Sequence, residues 1–421
     1  MSRFAPLLGA LLALSPVPAL AHQGTAQAAT SSSKRPVVIL VSIDGFRADY
    51  LQRGITPNLS ALAAKGISAA MRPSFPSKTF PNHWALVTGE YPDHNGIVGN
   101  TFEDPRRPGE TFTMKSDDPF WWDEAEPIWV AAEKAGIRTA TMFWPGSNIG
   151  WGGTMAQHGY PVVTGGTRPE DWQQYNGAVD ATQRVNAVLD WMRRPAAIRP
   201  RLVTLYFDTV DTAGHMYGPD DARTNDAIHD VDSHIGDLVA GLKAQGIKAD
   251  VIVVADHGMA AISSQRVVAL DKVADPALYR IVDSGPFASL QPTEGNTAKL
   301  EAALLAPHDH MQCWRKGEIP ARLHYGTNPR IAPYFCLAET GWQIAATAPT
   351  EEKTGGSHGW DNAAPEMAAL FVAAGPDIER KGALPAFDNV DVEPLVRDLL
   401  GLAPKPEADG NDAPFKAALR K

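Results

Sequence analysis

The stretch "RPVVILVSIDGF" (residues 35–46) decides the fold class of this chain. Its apolar run is short and unbroken, and valine, isoleucine and leucine supply nearly all of it. Such a run is typical of a strand that is buried on both faces of a parallel sheet. The pattern occurs five times, at residues 35–43, 201–207, 250–255, 342–348 and 367–374. The sequence therefore predicts five buried parallel strands.

Helical patterns separate these strands, and the clearest one follows Thr224 and ends before Gly246. Its apolar residues recur at helical spacing. They are Ile228, Val231, Ile235, Leu238, Val239 and Leu242. Strands that alternate with helices predict an α/β fold with a mostly parallel central sheet flanked by helices. We expect one domain over residues 35–421, with less regular insertions at about 101–175 and 260–340.

Composition and charge limit the classes of partner. The chain has 421 residues, of which 44% are hydrophobic, and a formal net charge of −10. This is an ordinary globular composition, and the negative charge argues against duplex nucleic acid or an anionic membrane as the main partner. A substrate with phosphate groups would therefore need local positive charge, which bound metal ions supply.

The N-terminus has the pattern of a secretory signal peptide over residues 1–21. Arg3 provides the positive charge, an apolar segment follows, and "ALA" (19–21) matches a cleavage site. The polar tract 22–34 is predicted to be a disordered linker. No other stretch is long and apolar enough to span a bilayer, so we expect a secreted or periplasmic protein.

The chain has two cysteines, Cys313 and Cys336. In an oxidising compartment such a pair is typical of a structural disulfide bond. Two buried thiols are the alternative interpretation.

Acidic and histidine side chains follow the predicted strands or lie in a glycine-rich loop before the last one. Because ligand sites in open α/β sheets lie at the carboxyl ends of the strands, we expect these side chains to converge. The six are Asp44, Asp211, His215, Asp256, His257 and His358. Carboxylate and imidazole groups are suitable ligands for two divalent transition metals such as zinc. Six other histidines lack such partners and are interpreted as structural or solvent-facing: His83, His94, His229, His234, His308 and His310.

Individual ligands also allow simpler interpretations. A strand-end aspartate such as Asp44 is often the N-cap of the next helix, and a lone histidine such as His358 is usually solvated. Thr79 in "SFPSKTFPNHW" (74–84) is either a helix cap or a nucleophile. The convergence of several motifs is what favours a metal site.

Five motifs together resemble those of the nucleotide pyrophosphatase/phosphodiesterase family, which belongs to the alkaline phosphatase superfamily. In chain order they are "IDGFR", "TFPNHWALVTGEYPDHNGIVGN", "DTAGHMYGP", "ADHGM" and "GSHGW". The resemblance extends from about residue 35 to about residue 400, and it implies an alkaline-phosphatase-like fold.

The resemblance also implies a two-zinc mechanism. One zinc ion would be bound by Asp211, His215 and His358, and the other by Asp44, Asp256 and His257 with Thr79 as its variable ligand. Thr79 would attack phosphorus and form a covalent threonyl intermediate. Asn100 would donate a hydrogen bond to a phosphate oxygen.

A nucleotide is the substrate that the resemblance favours, with a nucleoside 5'-monophosphate as product. In nucleotide-cleaving members, aromatic residues matching Phe80, Tyr175 and Tyr206 line the base and sugar pocket. Tyr206 also lies in an apolar run and could simply pack in the core. Lys78 either adds positive charge for the next phosphate or is solvated.

Three other functions stay open at this point. One is a choline phospholipid phosphodiesterase, acting on a lysophospholipid or sphingomyelin. Another is a phosphomonoesterase, which is disfavoured because no arginine lies next to Thr79 in the sequence. The third is a zinc-stabilised binding protein without catalytic activity.

Overall fold

The computed structural model of the chain describes residues 35–156 and 162–420. The predicted signal peptide and linker (1–34) lie outside these described residues and stay predictions. In chain order, the strands of the described part are β1 (Val37–Ile43), β2 (Ile67–Met71), β3 (Phe102–Glu103), β4 (Thr111–Phe112), β5 (Thr139–Met142), β6 (Thr154–Met155), β7 (Val163–Thr164), β8 (Asp171–Gln173), β9 (Leu202–Phe207), β10 (Ala249–Val254), β11 (Ala260–Ser263), β12 (Val267–Ala269), β13 (Tyr279–Asp283), β14 (Phe287–Pro292), β15 (Met311–Arg315), β16 (Tyr334–Ala338), β17 (Gln343–Ala345), β18 (Thr354–Ser357), β19 (Ala369–Ala374) and β20 (Gly382–Ala383).

Helices alternate with these strands. The α-helices of the described residues are α1 (Pro57–Lys65), α2 (Thr79–Thr88), α3 (Pro92–Asn95), α4 (Ile128–Lys134), α5 (Ala181–Met192), α6 (Thr209–Tyr217), α7 (Ala222–Ala244), α8 (Leu270–Val273), α9 (Thr297–Leu304) and α10 (Val392–Leu400). Short 3-10 helices are found at Ala48–Gln52, Pro119–Trp122, Pro276–Leu278, Lys316–Glu318, Ala321–Leu323, Pro365–Met367 and Asn389–Asp391. Among the described helices, none is both long enough and apolar enough to cross a membrane.

A mixed central sheet organises the fold and confirms the predicted α/β class. Its strand order is β20-β2-β19-β10-β1-β9-β5-β8. Strand β1 lies in the middle and pairs in parallel with β10 and β9, so that Val38 is opposite Asp250 on one side and Leu202 on the other. All seven residues of β1 are buried, as expected for a strand covered on both faces. The central sheet is mostly parallel, with β19 as the reversed strand.

The direction of β19 corrects one prediction. This strand is completely buried, but it pairs antiparallel to β10, with Val254 opposite Phe371. A continuous apolar run reports burial, and it carries no information on strand direction. Because β19 is reversed, its first residue lies at the edge where β1, β9 and β10 end. The loop that contains His358 therefore reaches this same edge.

The predicted strand at 342–348 is also wrong in its placement. Only Gln343–Ala345 is a strand, and it pairs with β12 outside the central sheet. The central sheet instead includes β2, β5, β8 and β20. These strands are rich in alanine, threonine and polar residues, so they do not stand out as apolar runs.

The segment 260–340 is more regular than predicted. It contains a four-stranded antiparallel sheet in the order β13-β14-β16-β15, which packs over its own apolar cluster. A disulfide bond joins Cys313 on β15 to Cys336 directly opposite on β16, which confirms the predicted pairing. Within 101–175, the described residues include strands β5 and β8, which both belong to the central sheet.

Candidate active site

Two aspartates stand at the carboxyl ends of neighbouring strands. Asp44 directly follows β1, and Asp256 lies two residues after β10. The backbone N–H of Gly45 donates to Oδ1 of Asp256 at 3.1 Å. Gly45 has a φ of +68°, and a Cβ atom there would lie 3.0 Å from the Cα of Asp211. Glycine therefore allows three ligand-bearing segments to approach one another closely.

The first ligand set consists of Asp44, Asp256 and His257, all of them buried. Nε2 of His257 lies 3.4 Å from Oδ1 of Asp44 and 3.0 Å from Oδ2 of Asp256. On the other side of the ring, Nδ1 is 2.9 Å from the carbonyl oxygen of Gly258. A carbonyl only accepts, so Nδ1 carries the proton and Nε2 is free to bind a cation.

The second set consists of Asp211, His215 and His358. Asp211 and His215 are four residues apart on α6, so both face one side of the helix, as the sequence predicts. Nε2 of His215 lies 3.4 Å from Oδ1 of Asp211 and 3.1 Å from Nε2 of His358. The Nδ1 atoms of His215 and His358 are each 2.8 Å from a backbone carbonyl, of Gly356 and Ser77 respectively. Both Nε2 atoms therefore point into the set.

The carboxylate oxygens and imidazole nitrogens of these two sets are suited to binding cations. Oδ1 of Asp44, Oδ1 of Asp211 and Oδ2 of Asp256 are buried and have no hydrogen-bond donor among the described residues. Burial raises the pKa of Asp44 well above its ordinary value, and the neighbouring Asp256 and Asp211 carboxylates add to the shift. Buried carboxylate oxygens without donors are costly unless a positive charge compensates them. The cluster has the chemistry of a metal site.

Thr79 lies beside the first ligand set. It is buried at the first position of α2, and its Oγ1 is 3.3 Å from Nε2 of His257. The N-cap of α2 is Lys78, so the helix-cap interpretation of Thr79 is wrong. The hydroxyl stands at the positive end of a helix dipole, where an anionic group is favoured.

Asn100 is bonded to the start of the same helix. Its Oδ1 accepts the backbone N–H of Phe80 at 2.9 Å. Since this bond occupies the side-chain oxygen, the amide NH₂ group is left to donate to another acceptor.

The four residues predicted to bind substrate differ in how exposed they are. Tyr206 is buried in β9, yet its hydroxyl donates to Oδ2 of Asp44 at 2.6 Å. Tyr175 is 51% exposed, and its ring lies 6.0 Å from that of Tyr206. Phe80 is half-buried, with its ring 6.0 Å from that of Trp122. Lys78 is half-buried, and burial lowers the pKa of its ammonium group.

His83 supports the site in a way that the sequence did not reveal. Its Nδ1 lies 2.9 Å from the carbonyl oxygen of Thr79, and its Nε2 lies 2.8 Å from Oγ of Ser42. Burial lowers the pKa of His83 to about 3, so the ring is neutral at pH 7. The available signal was its position four residues after Thr79, on the same face of α2.

Comparison with known proteins identifies the family of the chain. The family model described as "Type I phosphodiesterase / nucleotide pyrophosphatase" matches residues 38–361. The chain belongs to this family. Its members include a pyrophosphatase/phosphodiesterase of Schizosaccharomyces pombe, 35% identical over 91% of this chain and 79% of that protein. A bis(5'-adenosyl)-triphosphatase of Xenopus laevis is 36% identical over 89% of this chain and 80% of that protein.

Solved structures of the same phosphodiesterase family share the fold. Murine ectonucleotide pyrophosphatase/phosphodiesterase 5 matches with a TM-score of 0.84 and 32% identity, over 91% of this chain and 100% of that chain. An inactive threonine-to-alanine variant of the murine protein, in complex with AMP, matches equally well. The predicted alkaline-phosphatase-like architecture is thereby confirmed.

Proposed function

We propose that this family member is a secreted or periplasmic enzyme that hydrolyses nucleotide pyrophosphates and nucleotide phosphodiesters to nucleoside 5'-monophosphates. The observation that carries the proposal is the position of Thr79. Its hydroxyl lies 3.3 Å from His257 in the first ligand set, at the N-terminus of a helix. This is the position that a nucleophile needs beside a metal-bound phosphate.

Two zinc ions are the cofactors that best fit the donor atoms. Asp211, His215 and His358 would hold one ion, and the other would be held by the buried set of Asp44, Asp256 and His257. When bound, the ions lower the pKa of coordinated hydroxyl groups and neutralise charge on the phosphate oxygens. Thr79 is close enough to the buried set to be its further ligand.

Thr79 attacks the phosphorus atom in the proposed reaction. Its Oγ releases its proton to solvent and forms a bond to phosphorus, and the bond from phosphorus to the leaving group breaks. The leaving group departs with the electron pair of that bond. Water then hydrolyses the threonyl phosphodiester, which restores the Thr79 hydroxyl and releases the nucleoside 5'-monophosphate.

Asn100 and the start of α2 are the groups that stabilise the charged phosphate oxygens. The bond from the Phe80 N–H fixes the side-chain oxygen of Asn100, so its NH₂ group is oriented before substrate binds. At the start of α2, the Phe80 N–H is bonded to Asn100 and the Asn82 N–H to the Lys78 carbonyl oxygen. Pro81 has no N–H, so the Thr79 N–H is the backbone donor assigned to an anion at this N-terminus. We assign Asn100 to this role.

Nucleoside recognition is assigned to Phe80, Tyr175 and Tyr206, with Lys78 near the distal phosphates. Tyr175 offers an exposed ring, and base–aromatic stacking contributes about 1–3 kcal/mol per base. The bis(5'-adenosyl)-triphosphatase name of one relative and the AMP complex of a solved structure support a nucleotide substrate.

Turnover of the p-nitrophenyl ester of thymidine 5'-monophosphate tests the proposal. We expect zinc-dependent hydrolysis by the purified protein, and its loss in Thr79→Ala. Thr88→Ala is the matched control, because Thr88 is a buried threonine at the other end of α2. Wild-type activity in Thr79→Ala would refute the proposal. Faster release of choline phosphate from lysophosphatidylcholine or sphingomyelin would instead indicate the lipid-cleaving function.

A further inference from the structure

We propose that Arg184 and Asp208 are positioning residues that set the orientation of the Tyr175 ring and thereby the preference for substrates with a nucleoside group. The inference rests on the proposed nucleotide function. It concerns a hydrogen-bonded series of side chains that begins at the buried Arg184 in α5, passes through the partly exposed Asp208 and ends at the exposed Tyr175 ring.

Two hydrogen bonds to the Asp208 carboxylate link these side chains. The Tyr175 hydroxyl donates to Oδ2 of Asp208 at 2.9 Å, and Nη1 of Arg184 donates to Oδ1 at 2.7 Å. Asp208 follows β9 directly, at the edge of the sheet where the ligand sets lie. The carboxylate therefore connects an exposed aromatic ring to a buried cation.

Arg184 is held in place at the buried end of this series of hydrogen bonds. Its side chain is 4% exposed, its Nε donates to the carbonyl oxygen of Val179 at 2.9 Å, and its Nη1 donates to that of Tyr206 at 3.1 Å. A guanidinium group held by several bonds has little rotational freedom left. Arg184 also ties α5 to the end of β9, whose Tyr206 hydroxyl bonds to the ligand Asp44.

Phe143 supports the same ring from the side. It follows β5, and its ring meets that of Tyr175 edge to face with centroids 5.6 Å apart. The Arg184 guanidinium carbon lies 5.0 Å from the Phe143 ring centroid. Phe143 has a φ of +64°, which is unusual for a bulky side chain and tends to occur at functional sites.

Fixing the ring matters because Tyr175 is half exposed. A side chain that is free to rotate must be ordered when a base stacks on it, and this ordering weakens binding. A ring held in place by its hydroxyl has already lost that freedom. The hydroxyl of Tyr175 should therefore contribute to nucleoside binding even though a base would stack on the ring alone.

Removal of the hydroxyl tests this directly. Tyr175→Phe keeps the ring and breaks the bond to Asp208. The experiment compares kcat and KM for two substrates. One is the p-nitrophenyl ester of thymidine 5'-monophosphate, and the other is methyl p-nitrophenyl phosphate, which has no base or sugar. We expect the ratio of the two kcat/KM values to fall about fivefold to tenfold, mainly through a higher KM for the nucleotide.

Tyr91→Phe is the matched control, because the Tyr91 hydroxyl also donates to a carboxylate, Oδ2 of Asp388 at 3.2 Å. It lies beyond the C-terminal end of α2, so the ratio should stay at the wild-type value. An unchanged ratio in Tyr175→Phe would overturn the proposal. A comparable fall in the Tyr91→Phe control would overturn it as well.

Single and double variants test the roles of Asp208 and Arg184. Asp208→Asn and Arg184→Lys should lower the same ratio, and Asp208→Asn should have little further effect when Tyr175 is already Phe. Fully additive effects, or equal losses with both substrates, would show that these residues act only on general stability and would overturn the positioning role. Thermal melting of each variant confirms that it is folded.

Failure of the proposed function would look different. In that case the wild-type protein itself would show no preference for the nucleotide ester over the methyl ester. Failure of the positioning role leaves the wild-type preference intact and changes only the response of the variants.

Discussion

The imidazole rings of His257 and His358 stack with their centroids 3.5 Å apart, although the two residues belong to different ligand sets. Burial and the facing His257 ring lower the pKa of His358 well below its ordinary value. A neutral His358 ring can stack on its neighbour without charge repulsion. The contact joins the two sets into one centre, so damage to one set should affect the other.

Metal removal should abolish activity and lower stability together. In the two ligand sets, one buried carboxylate oxygen each of Asp44, Asp211 and Asp256 has no hydrogen-bond donor in the described part of the chain. Without a cation the burial of these oxygens is uncompensated. We expect dialysis against a chelator to lower both Tm and turnover, and added zinc to restore both. Metal analysis should give about two ions per chain. An apoprotein with unchanged Tm would contradict this prediction.

His358→Ala should weaken binding at both ligand sets. It removes one ligand and also the ring that stacks on His257. We expect the bound metal to fall below one ion per chain at limiting zinc, as measured by elemental analysis after desalting. His94→Ala is the control, because His94 is an exposed histidine bonded to Asp409 away from the site. Loss of a single ion with the other set unaffected would show that the two sets are independent.

Tyr206→Phe should lower metal affinity while keeping the aromatic ring. The substitution deletes the donor to Oδ2 of Asp44, and loss of such an outer hydrogen bond typically costs about 10- to 100-fold in metal affinity. We expect activity to recover at higher zinc concentration in a metal titration. Tyr325→Phe, which loses a buried hydroxyl bond to the Val98 carbonyl, should leave the zinc titration unchanged.

Glu393 should make stability depend on pH. It is buried on α10, and burial raises its pKa to about 7 from 4.5. Because the pKa of Glu393 is higher in the folded than in the unfolded protein, protonation of this side chain stabilises the fold. This contribution to the free energy of unfolding is fully present below about pH 4.5 and is lost as pH rises through 7. Glu393→Gln should reduce this loss by about 2 kcal/mol in urea unfolding at pH 5 and pH 8. The exposed Glu407→Gln should not change the pH dependence.

The disulfide bond should stabilise the protein without taking part in catalysis. It closes a loop with a sequence separation of 23 residues, for which the chain-entropy estimate is about 3 kcal/mol. Replacing Cys313 and Cys336 by alanine should lower the free energy of unfolding by about this amount. The kcat/KM for the nucleotide ester should stay within about twofold of wild type, since the bond joins β15 and β16 of the four-stranded antiparallel sheet.

The convergence of the six candidate metal ligands was predictable from sequence, because strand ends are marked locally. Asp44 follows an apolar run, and Asp211 and His215 have helical spacing. Strand direction was not predictable, because an apolar run such as β19 is equally compatible with either direction. The four-stranded antiparallel sheet of segment 260–340 was not predicted, because strands such as β13 and β15 mix polar and apolar residues and form no continuous apolar run.

The residues that orient the site were harder to predict than those that form it. His83 and Arg184 look like ordinary helix residues in the sequence. The role of His83 also depends on the Ser42 hydroxyl on β1. That of Arg184 depends on the Tyr206 carbonyl and the Asp208 carboxylate at the end of β9. Phe143 is distinguished by its backbone conformation, which a sequence pattern does not encode.

The stereochemical course at phosphorus tests the central claim about Thr79 most directly. One diastereomer of the p-nitrophenyl ester of thymidine 5'-phosphorothioate is hydrolysed in water labelled with oxygen-18, and the configuration of the product is determined. Attack by Thr79 followed by attack of water is two in-line displacements, so the account predicts net retention. Inversion would show that water attacks directly and would contradict the role of Thr79 as the nucleophile.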